Sequence, residues 1–418
     1  MKKTYKLLTV LGSLFIFSLT SLYASSFFTG YAGGMLNYSA NQKSEKFDPQ
    51  MDLTAFFSGQ FTVSENFWSH LEFSIKTADL FSKDLFDATD ASFQLDELSL
   101  IKRGISINGY NYFSVYMGTY DPIGSDIFLQ RYFAIEPIGT KLADTYLGLA
   151  GSILYPHFGI GISDVLKSNT KPIAYGFYLY LNNENSQYYI ANADIRFATS
   201  MRYFTMDILA GVGAPLYDTY KGESTFLVIN KLYFHAGTSI LIGNNYTPSL
   251  FIQAGLFNAS YEKGASFQFS SDSIYLLIEP RFVINNGHLN LSVYALPQKT
   301  ADKFLFVDDT LGADLNFYSD TISVSSKLFT MGLHIGFGLP NKTLFSFMKE
   351  NKFKPEDNLE SLINDIKTLN FDINVTPYMS TELFGGQINA QVKIRLMDLI
   401  VDKWYKGFCA EFGYKASF

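Results

Sequence analysis

The chain has 418 residues, with 32 Lys plus Arg against 39 Asp plus Glu, five His, one Cys and a mean hydropathy of +0.06. That mean excludes a bundle of apolar membrane helices, each needing about 20 consecutive apolar residues, while the single Cys excludes a disulfide framework. The acidic balance leaves no nucleic-acid footprint, and 40 Phe and 28 Tyr with only 12 Pro make a chain too rich in β-formers for disorder.

The N-terminus reads as an export signal. Lys2, Lys3 and Lys6 form a positive head, Leu7 to Leu19 is apolar, and Leu22-Tyr23-Ala24 precedes a polar Ser25. This predicts a signal peptide over residues 1–24 and a mature domain over residues 25–418.

Alternation then runs through the mature chain. Phe67, Ser69, Leu71, Phe73 and Ile75 share one strand face, and Trp68, His70, Glu72, Ser74 and Lys76 the other. The pattern returns at Tyr189 to Phe197, at Leu289 to Ala295, and from Gln387 to Leu396, where every even position is apolar and every odd one polar or charged. One face therefore meets a greasy medium and the other water. About 18 such segments follow one another without a composition break, the signature of a single antiparallel transmembrane β-barrel of about 16–18 strands.

Connection lengths agree with a barrel. Tyr38 to Gln50, Thr77 to Ala91, Asp121 to Lys141, Ala214 to Glu223, Tyr261 to Ser273, Leu296 to Thr310 and Leu339 to Asn370 are long. Ser64 to Asn66, Lys102 to Gly109, Gly243 to Thr247, Asn285 to Gly287 and Phe384 to Gly386 are shorter, and the two kinds alternate as outer loops and periplasmic turns should. The uncharged stretch from Thr145 to Ser163 reads as a strand with a kink or bulge, since it carries four glycines with Pro156 and His157, and Lys141 to Ser163 then counts as one overlong segment. After Pro355, Leu359, Leu362, Ile363, Ile366 and Leu369 stand at helical spacing, which predicts a short helix between Glu356 and Leu369.

The last strand carries the most specific signal. Phe408, Ala410, Phe412, Tyr414, Ala416 and Phe418 share a face, opposite Cys409, Glu411, Gly413, Lys415 and Ser417. Here the sequence resembles the bacterial outer-membrane β-barrel class, whose final strand ends in an aromatic residue after alternating apolar positions and a glycine. The resemblance implies that Gly413, Tyr414 and Phe418 form an assembly signal read by the barrel assembly machinery. It also implies export to the outer membrane, with membrane lipid and small solutes as partners.

Catalytic motifs are missing. His70, His157, His235, His288 and His334 lie far apart, and no HExxH, GxSxG or Walker sequence occurs. None of the five is followed two residues later by the Ser that outer-membrane phospholipases place there, so neither an enzyme nor a cofactor is expected. GxG at Gly159, Gly211 and Gly336 never extends to GxGxxG and reads as glycine on one face of a curved sheet.

The positive evidence is a set of charges on polar strand faces: Glu72, Lys76, Asp194, Arg196, Lys231, Asp314, Lys393 and Arg395. Sealing them unpaired in a barrel would cost several kcal/mol per ion, which a water-filled lumen avoids. They are the candidate pore lining of a porin-like channel for small hydrophilic solutes. General porins are similar in folding their third external loop inward as a constriction. Here that loop would hold Asp126, Arg131 and Glu136 among Ile127, Phe128, Leu129, Tyr132, Phe133 and Ile135, without the PEFGG-type sequence. A loop tip packed on its neighbours is an equal alternative. Two rival functions stay open. One is a hydrophobic-substrate transporter like the fatty-acid uptake barrels, although their Asn-Pro-Ala plug is absent. The other is an adhesin or structural barrel acting through its loops.

Overall fold

A computed structural model describes residues 27–40, 47–82, 91–143, 158–183, 189–216, 219–220, 223–224, 231–301, 304–324, 327–340, 346, 371–399 and 404–418. The signal peptide, the helix expected between Glu356 and Leu369, and His157 lie outside these residues.

Eighteen antiparallel strands close into one barrel. In chain order they are β1 (Phe27–Ala40), β2 (Pro49–Ser64), β3 (Phe67–Lys76), β4 (Ser92–Ser106), β5 (Gly109–Gly118), β6 (Gly159–Ser168), β7 (Ile173–Asn182), β8 (Tyr189–Met201) and β9 (Phe204–Leu216). There follow β10 (Lys231–Ile242), β11 (Ser249–Glu262), β12 (Ile274–Ile284), β13 (Gly287–Ala295), β14 (Leu311–Ser319), β15 (Lys327–Gly338), β16 (Asp372–Leu383), β17 (Gly386–Arg395) and β18 (Phe408–Ser417). Each strand pairs with its chain neighbours. β1 then meets β18, from Tyr31 opposite Ser417 to Ser39 opposite Cys409, and this closure leaves no edge for another chain to extend.

The alternation in sequence becomes inside and outside. On β7 and β8, Phe177, Leu179 and Ile195 face outward and are exposed, while Tyr178, Tyr180, Asp194 and Arg196 face inward and are buried. The outward set continues through Phe113, Ile160, Ile278, Val293, Phe317, Val392 and Phe412. Such a continuous apolar surface is far larger than soluble monomers expose.

All the tight turns stand at one end. Glu65-Asn66, Ile107-Asn108, Arg202-Tyr203, Asn285-Asn286 and Phe384-Gly385 link strands directly, with Asn285, Phe384 and Gly385 in the left-handed region that such turns demand. The opposite end carries the long connections. β6 begins at Gly159, and the strand expected from Thr145 lies, up to residue 157, outside the described residues.

The C-terminal aromatic is tied into the closure. The Phe418 backbone exchanges both hydrogen bonds with Gly30, and its ring stacks on Phe28 at 5.0 Å and Phe57 at 6.0 Å on the outer surface. Tyr414 Oη donates to the carbonyl of Phe384 in the β16–β17 turn.

Candidate functional site

Two segments from the long-loop end fold into the barrel and cover much of its inner wall. The first begins where β5 ends. Gly118 and Asp121 have φ of 119° and 43°, and Gly124 has 86°, so the chain reverses sharply inward. At Gly118 a Cβ would also collide with the carbonyl of Asp96 on β4, which accepts the N–H of Thr119. The segment then forms helix α1 (Ile127–Phe133), with Phe128, Leu129 and Tyr132 buried. Ile123, Ile138 and Leu142 are also buried, each contributing roughly 1.5–3 kcal/mol.

Charge fixes where this segment lies. Arg131 on α1 donates through Nη2 to both oxygens of Glu97 on β4, at 2.7 and 2.9 Å, and through Nη1 to Asp121 at 2.5 Å. Burial favours release of its proton, but Glu97 and Asp121 outweigh that and hold it charged. Asp121 also accepts from Tyr132 Oη and from Tyr178 Oη on β7. Arg196 on β8 pairs with Asp207 on β9, donates to the carbonyl of Asp121, and lies 4.0 Å from the Phe128 ring centre. Further along, Gln253 on β11 donates to the Gly124 carbonyl, and Arg281 on β12 pairs with Glu279 and donates to the carbonyls of Ile138 and Gly139. Thr140 donates its hydroxyl to Glu279 and closes this run of contacts. The segment ends near the tight-turn rim, where Asn245 donates to the Pro137 carbonyl and Tyr246 Oη to Glu136.

The second segment, residues 296–310, is a correction to the sequence reading, which treats it as an outer loop. Leu296, Ala301, Phe304, Phe306 and Val307 are buried in the lumen, because their hydrophobic side chains gain more by covering the wall than by standing in water. Phe306 stacks on His334 of β15 with centroids 3.6 Å apart, and His334 Nδ1 shares a 2.7 Å hydrogen bond with Asp314 of β14. Asp308 accepts from Lys393 at 2.6 Å and Arg395 at 2.9 Å on β17, and from Asn374 on β16. Burial raises the Asp308 carboxyl pKa, but Lys393 and Arg395 override this and hold it below its ordinary value. At Asp309, burial together with Asp372 and Asp308 pushes the carboxyl up to about 6.

The eight candidate wall residues all belong to inward faces, yet most do not stand in water. Asp194 bonds His235 at 2.8 Å, Arg196 bonds Asp207, Asp314 bonds His334, Lys393 and Arg395 share Asp308, and Glu72 lies 3.3 Å from His70. Pairing, not hydration, accommodates most of these charges. Lys76, at the long-loop rim, pairs with Asp52 at 3.2 Å and is half exposed, and Lys231 lies 5.5 Å from the centre of the Tyr233 ring. Of the loop candidates, Arg131 is embedded, and Asp126 turns inward to accept the N–H of Gly139. Glu136 sits on the rim of the tight-turn end.

Sequence reasoning missed Glu97 because a β-bulge at Asp96–Glu97 breaks the alternation and turns both carboxylates inward. It also missed Asp207, Glu279 and Arg281, although their places on inward strand faces carry the same alternation signal. Asp121 and Asp308, lying in loops without periodicity, carry no such signal. The GxG glycines do face inward, each making room for a neighbour: at Gly211 a Cβ would strike both Asp194 and His235.

Among the described residues, the other side of the wall stays open. The first segment is anchored on β4 to β12 and the second on β15 to β17, whereas the inward residues Tyr31, Asn37, Asp52, Thr54, Gln60, His70 and Lys415 of β1–β3 and β18 stay partly exposed.

No protein-family model and no curated protein sequence matches the chain. Among solved structures, variants of the Rhodopseudomonas blastica porin are similar over 94% of this chain and 100% of theirs. One has 8% identity and a TM-score of 0.42, and another 10% identity and a TM-score of 0.40. A structure titled for asymmetric conductivity of engineered proteins has 10% identity over the same coverage and a TM-score of 0.38.

Proposed function

We propose that the protein is an outer-membrane channel for passive diffusion of small hydrophilic solutes, with its aqueous path beside β1–β3 and β18. The apolar belt around the barrel supports a membrane setting, because water would penalise that surface and hydrocarbon would not. The observation that carries the channel reading is the asymmetry of the lumen: two segments pack against one side of the wall, while the opposite wall presents partly exposed Asn37, Asp52, Thr54, Gln60, His70 and Lys415. Segments that narrow a barrel without filling it act as size filters. Mixed charge along the exposed wall, Asp52 and Glu411 against Lys76 and Lys415, fits modest ion preference. Export by a cleaved signal peptide and assembly through Gly413, Tyr414 and Phe418 belong to the same reading.

The test is reconstitution of the purified full-length protein in planar bilayers. Discrete ohmic steps are expected, and Thr54→Trp, which adds bulk on the exposed wall, should lower their conductance. Absence of steps from a protein that is folded by circular dichroism rejects the channel.

A further inference from the structure

At the tight-turn end, where the foot of the first inward segment meets the wall, lies a second cavity. It encloses about 290 Å³ and is lined by Glu136, Pro137 and Lys141 of the segment, Asn245 and Thr247 of the β10–β11 turn, and residues of β11 to β14, among them Ser249, Arg281, His288 and Asn290. That size is near the lower end of ligand sites, about 300–1,000 Å³.

Hydrogen-bond donors dominate its lining. Arg281 spends Nε on Glu279 and Nη2 on two carbonyls, and its side chain lines the cavity. The Lys141 ammonium has no ion-pair partner among the described residues. Asn290 on β13 is 1% exposed, and its amide Nδ2 is buried without a hydrogen-bond partner; so is Ser249 Oγ on β11. An unmet buried donor costs roughly 1–3 kcal/mol, so a wall that holds one gains by meeting an acceptor. His288, stacked on Tyr318 and bonded to Asp320 at 2.7 Å, completes the rim.

The carboxylates nearby are already engaged. Glu279 accepts from Thr140, Ser292 and Arg281, Asp126 accepts from the Gly139 N–H, Asp320 accepts from His288, and Glu136 accepts from Tyr246. The cavity therefore offers a guanidinium, an ammonium, an amide N–H and a hydroxyl, with little competing acceptor strength. Charge-assisted donors converging on one small volume match a tetrahedral oxyanion or a carboxylate.

We propose that this cavity, formed by Lys141, Ser249, Arg281 and Asn290, binds a small oxyanion at the periplasmic mouth. The ligand is held by its oxygens against the foot of the inward segment, so binding also fastens that foot to the wall. The site does not depend on conduction, and equilibrium binding tests it even if the barrel passes no current.

Inorganic phosphate is the probe, titrated calorimetrically into the full-length protein in detergent at fixed ionic strength, with chloride as the competing anion. Saturable binding is expected, weakened at least tenfold in both Asn290→Leu and Lys141→Gln and unchanged in Lys76→Gln at the far rim. Lys141→Gln alters only an unpaired side chain on the segment, so it remains informative should Asn290→Leu fail to fold. Phosphate binding that is absent in the parent protein, or equally strong in Lys141→Gln, overturns the proposal. Binding lost equally in Lys76→Gln would reveal general charge attraction and overturn it as well.

Discussion

The two inward segments are held by different electrostatic arrangements. Under the first, most of the wall is paired within itself, Arg196 with Asp207 and Arg281 with Glu279, and the segment adds carbonyls that take up spare guanidinium donors; only Glu97 on β4 takes its partner, Arg131, from the segment. Under the second, the wall is incomplete. Lys393 and Arg395 are adjacent inward cations whose shared carboxylate, Asp308, comes from the segment itself. Displacing the first segment therefore leaves a single wall carboxylate, Glu97, without its cation, whereas displacing the second leaves two like charges side by side. The more fully a wall is paired within itself, the less it depends on its lining.

The largest expected effect comes from breaking a pair that belongs wholly to the wall. Arg196→Met leaves Asp207 buried and unpaired between strands that cannot move apart. It should destabilise the barrel by about 3–5 kcal/mol, read as a lower urea midpoint in detergent. A midpoint equal to that of the parent would show that the pair is hydrated.

A charge placed on the outside of the same wall gives the next largest cost. Val392→Arg faces outward and should cost roughly 2–4 kcal/mol near the membrane midplane. Gln391→Arg, one residue earlier, points inward where Gln391 donates to Glu411 at 2.6 Å, so it gains a carboxylate partner and should fold. Equal destabilisation of the two variants would refute the division into faces.

Asp308→Asn sharpens the contrast between the segments. Its loss should amount to about 1–3 kcal/mol, capped because the segment can leave the wall and let water reach Lys393 and Arg395. Hydrogen exchange should rise at residues 304–310 and stay unchanged at residues 123–133. Faster exchange in both would show that the two segments dock as one unit. Shortening residues 127–135 to a Gly-Ser link is the complementary change, and should raise conductance if α1 restricts the path.

The smallest effect is a dependence on pH in the second segment. Asp309, with its carboxyl raised to about 6, is disfavoured as an anion in the docked state, so docking should tighten as pH falls through about 6. Asp308 is lowered, so its contribution is present above the ordinary carboxylate value and is lost as pH falls below it. Protection from exchange at residues 304–310, relative to an unstructured chain at the same pH, should therefore rise between pH 7 and pH 5 and fall again below about 4. Asp309→Asn should abolish the first change only. A flat profile in the parent protein would remove Asp309 from the docking equilibrium.

The sequence by itself determined the barrel. Strict alternation such as Gln387 to Leu396 obliges each strand to set one face against an apolar medium, and the rhythm of long and tight connections sets the sense of the strands. Both are local properties with period two, so they survive without knowledge of any partner. Inward placement of Asp194, Arg196, Asp314, Lys393 and Arg395 followed from the same rule. What those charges meet was decided only by the tertiary structure. Asp207 joins Arg196 across one strand pair, but Asp308 reaches Lys393 from a loop 85 residues away, and Arg131 reaches Glu97 across 34 residues and a β-bulge. Loops have no periodicity to read, and whether a loop turns inward depends on the summed pairing and burial that the closed wall offers it. That sum exists only once the barrel has closed.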